Sequence, residues 1–220
     1  MSDHAPEDDA EEGNSHDHSH DEQHHDDNGG DHHQGDGHGH HEPHDHDEDH
    51  SHDHHHHDLD TVRAAVVTVS SSRSVDDDPA GDAIIAAFED AGHEVSHREL
   101  VNDDFDGVQG IVDRLVDRKD VDVVVTTGGT GVTPDDVTVE AVEPLVEKQL
   151  PGFGELFRRE SYEEIGSRVV GTRATAGVAS GVLVFCLPGS ENAARLGADI
   201  IVSEAPHLVG LARRDEEDEE

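Results

Sequence analysis

Residues 1–60 offer only four aliphatic side chains, Met1, Ala5, Ala10 and Leu59. A segment so poor in apolar surface cannot offset the entropy lost on ordering it. Whatever folds in this 220-residue chain must therefore fold downstream of Asp60. The same segment holds 19 of the 22 histidines, 21 acidic residues and no lysine or arginine. It reads as a disordered His/Asp-rich acidic tail. In its runs HDHSH (16–20), HGHH (38–41) and HDHDEDHSHDHHHH (44–57), imidazoles stand among carboxylates. Imidazole suits zinc, nickel or copper, and carboxylates add oxygen donors. Two readings stand open: a metal buffer or delivery tail, and a solvated spacer that keeps the protein soluble. No run has the fixed spacing of a structural site, so no single histidine stands out as a ligand.

The chain carries 54 acidic and 14 basic residues, a net charge of -40. The excess persists outside the tail, with 27 acidic and 14 basic residues in 61–214, and the chain ends in a second acidic tail, DEEDEE at 215–220. A domain this acidic repels itself in dilute salt, whereas molar salt shortens the Debye length to about 3 Å. The balance reads as that of a halophilic, salt-adapted protein. A polyanion repels nucleic-acid phosphates and anionic lipid, so neither is an expected partner. No apolar run approaches the ~18 residues of a membrane span. The start of the sequence shows no basic n-region and no apolar h-region, so a cytoplasmic location is expected. A single cysteine, Cys186, excludes an intramolecular disulfide and an all-cysteine zinc site. Its apolar run marks it as core packing, and Tyr162 is likewise assigned to packing. His93, His97 and His207 read as surface or capping residues.

Residues 61–214 suffice for one core. The Val/Ala-rich run 62–69 reads as a buried strand. Asp78-Pro79 follows as a helix cap and first position, with Ile84, Ile85, Phe88 and Ala91 at helical spacing and Gly92 as the stop. A second strand is expected at 95–100. Val108, Ile111, Val112, Leu115 and Val116 fall at i, i+3, i+4, i+7 and i+8, an amphipathic helix. DVVVTT at 122–127 reads as a parallel strand covered on both faces. Residues 139–150 read as helical, Pro151-Gly152 as a turn and 153–165 as a helix. Two strands at 174–179 and 182–187 flank Ser180-Gly181 as a hairpin. A last helix opens at Gly189-Ser190 and runs to about residue 214, with Pro206 expected to break it. The alternation predicts an α/β fold, a three-layer αβα sandwich around a mostly parallel sheet.

In such sheets ligands bind beyond the carboxyl ends of the strands. TTGGTG at 126–131 leaves one such end directly. Its glycines allow close backbone approach to an anion, and its threonines add hydroxyl donors. The motif is neither a P-loop nor a dinucleotide fingerprint, and taken alone it is equally a tight turn. Asp135 and Asp136 follow it. Asn102-Asp103-Asp104 ends the second strand, where Asp104 or Asp106 is also a helix-cap candidate. Leu187-Pro-Gly-Ser190 ends another strand and opens a helix, an anion-friendly start. The first strand ends in Ser70-Ser71-Ser72-Arg73. Hydroxyls, glycines, carboxylates and an arginine thus gather at one edge. Carboxylates beside a phosphate cradle point to Mg²⁺ and phosphate chemistry.

Four segments carry a family resemblance: VTVSSSRSVDDDPAG (67–81), VTTGGTGVTPDDVTVEAVEPL (125–145), LPGFGELFRRESYEEIG (150–166) and TRATAGVASGVLVFCLPGS (172–190). Together they make 61–214 resemble the molybdenum cofactor biosynthesis MoaB/MogA family. The resemblance implies a molybdopterin-binding fold that assembles as a homotrimer or homohexamer. It implies molybdopterin adenylyltransferase activity, in which the terminal phosphate of molybdopterin attacks the α-phosphorus of Mg-ATP and pyrophosphate leaves. The substrate phosphate is already a nucleophile, so the protein positions and neutralises charge. Matched by motif, Asp103 and Asp136 are expected to hold Mg²⁺ and orient phosphate. Ser70, Thr127, Gly128, Gly129, Thr130 and Gly131 are expected to bind phosphate, and Thr172, Gly189 and Ser190 to line the substrate cleft. A downstream molybdate-insertion protein is the expected recipient of the product.

The sequence departs from the family pattern at Ser71 (often Asp), Asn102 (often Pro), Thr172 (Ser) and Glu191 (often Pro). These departures keep a second reading open, a non-catalytic molybdopterin-binding or carrier module with a metal-buffering tail. A third is a metal-handling protein whose folded domain receives metal from the tail.

Overall fold

The structure is a computed structural model and describes residues 58–74 and 77–213. The readings of the His-rich tail up to residue 57 and of the acidic run 215–220 lie outside the described residues. Among the described residues, one six-stranded sheet has the order β2-β1-β3-β6-β5-β4. Its strands are β1 (Arg63–Val69), β2 (Glu94–Val101), β3 (Val123–Thr127), β4 (Lys148–Gln149), β5 (Thr175–Ala179) and β6 (Val182–Leu187). β2, β1, β3 and β6 run parallel, while β5 is antiparallel to β6 and to β4.

Strand side chains alternate between faces, and both faces are dry. Ala64, Val66, Val123, Val125, Leu183, Phe185 and Leu187 point to one core, which also takes Ile84 and Phe88 of α1 (Pro79–Asp90), Phe153 and Phe157 of α4 (Pro151–Ile165) and Ile201 of α5 (Glu191–Ala212). Ala65, Val67, Val124, Val182, Val184 and Cys186 point to the other, covered by the Val108–Ile111–Val112–Leu115 stripe of α2 (Phe105–Val116) and by Ala141 and Val142 of α3 (Thr138–Val142). This is the expected three-layer αβα sandwich, and the double cover explains why the central strands lack polar alternation.

Caps mark the helix starts. Asp78 caps α1 by accepting the Gly81 N–H at 3.0 Å, and Asp104 caps α2 by accepting the Gly107 N–H at 2.8 Å. The β5–β6 turn is the expected hairpin, with Ser180 (φ 50°) and Gly181 (φ 72°) both left-handed, the geometry of a two-residue loop.

Three expectations are corrected. Residues 139–150 are not one helix: α3 ends at Val142, a 3₁₀ turn covers Glu143–Leu145, and β4 follows. Pro144 has no N–H for an ongoing helix, and extended pairing takes over, with Glu147 N–H donating to Val178 O and Leu150 N–H to Ala176 O. Pro151-Gly152 is not a turn but the first turn of α4, where a missing proline N–H costs nothing. Pro206 does not break the last helix. It lies inside α5, and the carbonyl of Val202, its lost partner, is met instead by His93 Nε2 at 3.4 Å.

The side-chain roles shift with this. His93 is a half-buried partner of α5 rather than a surface residue. Tyr162 stands 56% exposed on α4, so it is not a packing residue. Cys186 is the buried core residue expected, its thiol pushed up to about 11 by burial. No helix among the described residues is long and apolar enough to cross a membrane.

Candidate functional site at the carboxyl edge of the sheet

Four parallel strands end on one edge, and the segments leaving them are laced together. Ser70 N–H donates to Val101 O at 2.9 Å, and Ser70 Oγ accepts the N–H groups of Ser72 and Arg73, each at 3.3 Å. Ser71 N–H donates to Asp103 Oδ2 at 2.8 Å, while Asp103 N–H donates back to Ser71 Oγ at 3.3 Å. Asp103 therefore clasps the ends of β1 and β2, whereas Asp104 serves as the helix cap.

The glycine loop is shaped by close packing. Gly128 (φ 102°) has no room for a side chain: a Cβ there would lie 2.2 Å from Val69 O. Gly129 (φ 64°) would collide with Thr138 Oγ1 at 2.3 Å. Thr138, fully buried, donates its hydroxyl to Gly128 O at 2.8 Å and its N–H to Gly129 O at 2.9 Å. Gly128 N–H is taken by Leu187 O at 3.0 Å, and the Thr127 hydroxyl donates to Pro188 O at 3.0 Å. Gly128 and Thr127 thus set the loop's shape and join it to the Pro188-Gly189 turn. Gly189 lies against Gly128, where an added Cβ would come 3.1 Å from Gly128 Cα.

Asp136 closes the far side of this loop. Its Oδ2 accepts the Thr133 N–H at 2.8 Å and the Thr133 hydroxyl at 2.6 Å. The Thr133 hydroxyl, against a smaller opposing effect of burial, holds this carboxyl below the usual carboxylate range, helped by the N–H groups of Thr133 and Gly131 and by the Arg173 charge. Asp136 is thus ionised and fixed in direction.

Two arginines hold the site from outside the predicted set. Arg173 donates to Thr130 O at 3.2 Å and to Asp136 O at 3.1 Å, and pairs with Glu140. It ties the glycine loop, the Asp136 backbone and α3 together. It follows Thr172 at the start of the β5 segment, and only an arginine in a chain with 14 basic residues could have flagged it. Arg73, noted in the sequence only as a nearby cation, reaches across the edge to Gly189 O at 2.9 Å and stands 3.6 Å from Asp78. Asp78 is 1% exposed and accepts from Thr68 Oγ1 at 2.6 Å and Arg98 at 3.2 Å. Burial alone would raise its pKa, but the bonds from Thr68, Gly81 and Arg98 outweigh that and hold it low.

Thr172 and Ser190 come together. Both line a cleft of about 380 Å³ between α4 and the start of α5, with Pro188, Glu191 and Ser161. Its volume suits a small ligand. Ser190 Oγ caps α5 by accepting the Ala193 N–H at 3.3 Å. Glu191, a departure from the family pattern, pairs with Arg195 at 3.0 Å, which offsets its charge at the cleft mouth. The expected residues thus fall into three adjoining groups: Ser70 with Asp103, the loop 127–131 with Asp136, and Thr172 with Ser190, Gly189 joining the last two.

A carboxyl-edge cluster of glycines, hydroxyls and two fixed carboxylates on a doubly covered, mostly parallel sheet defines a three-layer α/β domain. The chain belongs to the MoaB/MogA family of such domains: residues 65–207 match the family model described as probable molybdopterin binding domain. It is 43% identical over 158 residues to molybdenum cofactor biosynthesis protein B of Bacillus subtilis (strain 168), covering 71% of this chain and 93% of that protein. A crystal structure of a molybdenum cofactor biosynthesis protein B superposes with a TM-score of 0.68 at 42% identity, covering 70% of this chain and 97% of that one. The tungsten cofactor synthesizing protein MoaB from Pyrococcus furiosus gives a TM-score of 0.64 at 41% identity, covering 70% and 99%.

Proposed function

We propose that this chain acts in molybdenum or tungsten cofactor biosynthesis by adenylylating molybdopterin with Mg-ATP. One observation carries the reading. Asp103 and Asp136 stand on the loops after β2 and β3, the two strands that flank β1, at the same edge as the glycine loop and the Ser190 cleft. The family's relatives named for cofactor biosynthesis support the pathway.

The donor set fits Mg²⁺, which binds through one or two carboxylates and completes its shell with phosphate oxygens and water. A carboxylate has about four lone-pair positions. Asp103 commits one oxygen to Ser71, and Asp136 is ionised and oriented by Thr133. These two residues would hold the ion, which when bound neutralises charge on the ATP phosphates. The remaining work belongs to the chain. Arg73 and the helix start at Ser190 add positive potential, and Thr172 and Ser190 offer hydroxyl donors in the cleft. The loop 128–131 holds the two halves in register. A terminal phosphate oxygen of molybdopterin bonds to the α-phosphorus of ATP, and the bond from that phosphorus to pyrophosphate breaks. Pyrophosphate departs with the electron pair, so no side-chain nucleophile is needed. The buried Cys186, its thiol raised by burial, takes no part. A homotrimer or homohexamer, and delivery of the product to a metal-insertion protein, complete the proposal.

The test is pyrophosphate release by the full chain from ATP and molybdopterin at molar salt. Release that requires Mg²⁺ supports the reading. Molybdopterin binding without release would make the protein a carrier module.

A further inference from the structure

The 3₁₀ turn Gly166–Gly171 leaves the rim of the Ser190 cleft at Ile165 and returns to it at Thr172, and both of these residues line the cleft. The segment is anchored at each end. On one side Glu164 accepts from Asn192 Nδ2 at 2.8 Å. On the other, Arg173 is held by Thr130 O, Asp136 O and Glu140. Little holds it between these anchors. No residue of the turn is buried, and none of its side chains makes a hydrogen bond or ion pair among the described residues. A segment with so few side-chain contacts opens and closes at low cost in free energy. Both of its ends are glycines, and packing requires neither: a Cβ added at Gly166 or Gly171 would meet nothing within 4 Å. Gly166 stands at φ 59° and ψ -140°, a conformation that suits glycine.

Two side chains of the turn lack partners where they stand. Val170 is 87% exposed, an apolar group in water. Arg168 is exposed and forms no ion pair among the described residues, although acidic residues outnumber basic ones 54 to 14 in this chain. It lies three residues from Ile165 and four from Thr172, at most about 11 and 14 Å along the chain, so rotation at the two glycines is enough to bring its guanidinium to the cleft. We infer that residues 166–171 form a lid. When molybdopterin enters the cleft, the segment turns about Gly166 and Gly171, Val170 covers the ligand, and Arg168 donates to its phosphate near the start of α5. A guanidinium fork matches phosphate oxygens in pairs. Closure also excludes water, which would otherwise compete for the α-phosphorus. The inference rests on the reading of this cleft as the molybdopterin site, and it adds a binding residue that the open arrangement leaves outside the cleft.

The test is tryptic cleavage of the full chain at molar salt, with and without saturating molybdopterin, alongside equilibrium binding of molybdopterin. Cleavage after Arg168 follows the population of the open segment and should slow by about tenfold or more when molybdopterin is bound. Cleavage after Lys119, before the head of β3 at the opposite edge of the sheet, should not change. Arg168→Gln removes no contact of the folded chain and should raise the molybdopterin dissociation constant by about tenfold. Arg168→Lys should recover part of that loss. Arg114→Gln, an exposed arginine of α2, should leave the constant as it is. Equal cleavage after Arg168 in the free and bound chain overturns the lid, and a parental dissociation constant in Arg168→Gln overturns the phosphate contact. A parent that binds no molybdopterin overturns the reading of the cleft and the lid with it. Protection without pyrophosphate release supports the lid and removes only adenylyl transfer.

Discussion

Ser71 and Asp103 hold each other at the ends of β1 and β2, each backbone N–H donating to the other's side chain, at 2.8 Å into the carboxylate and 3.3 Å into the hydroxyl. The exchange fixes the direction of a carboxylate that faces the site. Asp103→Asn keeps an oxygen for the Ser71 N–H and removes only the charge. Pyrophosphate release should fall by about a hundredfold or more, while the thermal midpoint moves by no more than about 2 °C. Ser71→Ala loses only the longer bond and should cost less than about threefold in rate. An Asp103→Asn protein with near-parental turnover would remove this residue from the chemistry.

Arg173 is committed to other residues of the chain, so its expected role is positioning. It spans Thr130 O, Asp136 O and the Glu140 carboxylate at once. Lysine is a single point charge and cannot reproduce that fork. Arg173→Lys should therefore release the Asp136 loop while leaving Glu140 paired. The Mg²⁺ concentration for half-maximal activity is expected to rise by roughly tenfold, because the Asp136 carboxylate loses its fixed direction. Magnesium titrations of parent and variant decide this. Equal midpoints with lower turnover would show that Arg173 does not act through Asp136 as the proposed Mg²⁺ ligand.

Asp122 predicts the acid response. It is 1% exposed and pairs with Arg63 at 2.9 Å and with Arg213 at 2.6 Å, tying the start of β1 and the end of α5 to the head of β3. Burial alone would raise its pKa, but the Arg63 side chain and N–H, together with Arg213, bring it below the usual range. A carboxyl lowered by folding contributes stability above its unfolded value, near 3.9, and that stability drains away as pH falls through the folded value. The protein should hold steady from pH 7 to about 5 and lose stability below about 4. Asp122→Asn should cost about 2–3 kcal/mol at pH 7 and flatten the acid limb. Denaturant midpoints at pH 7, 5, 4 and 3 test both, and parallel curves for parent and variant would contradict the assignment.

The parts of the fold legible in the sequence were those whose own residues decide them. Valine runs made β1, β3 and β6 plain, and the apolar spacing from Val108 to Val116 made α2 plain. The stretch 139–150 reads as helical in the sequence because β4 exists only through its pairing with β5, with residues 26 to 31 positions away. At the candidate site the glycines and the two carboxylates announced themselves by type and by place after strands. What holds them did not. Arg173 reaches Thr130 across 43 positions, and Arg73 reaches Gly189 across 116, so no local pattern could report either contact.

His93 and Pro206 supply the sharpest test of such a distant contact. Pro206 has no N–H for Val202 O, which would otherwise be an unpaired carbonyl inside α5. His93 Nε2 approaches that oxygen at 3.4 Å and must be the donor, since a carbonyl only accepts, while the buried Nδ1 has no hydrogen-bond partner among the described residues. The ring also packs on Phe88, with centroids 6.0 Å apart. His93→Ala removes both the donor and this packing and should cost about 1–2 kcal/mol. Pro206→Ala returns an N–H to the helix, so Val202 O no longer needs His93. In the Pro206→Ala background the cost of His93→Ala should therefore shrink by about 0.5–1 kcal/mol, leaving mainly the loss of packing on Phe88. Denaturant unfolding of the four proteins at molar salt measures the coupling. Strict additivity would mean that His93 contributes only through its ring contacts, and that the continuity of α5 through Pro206 has another cause.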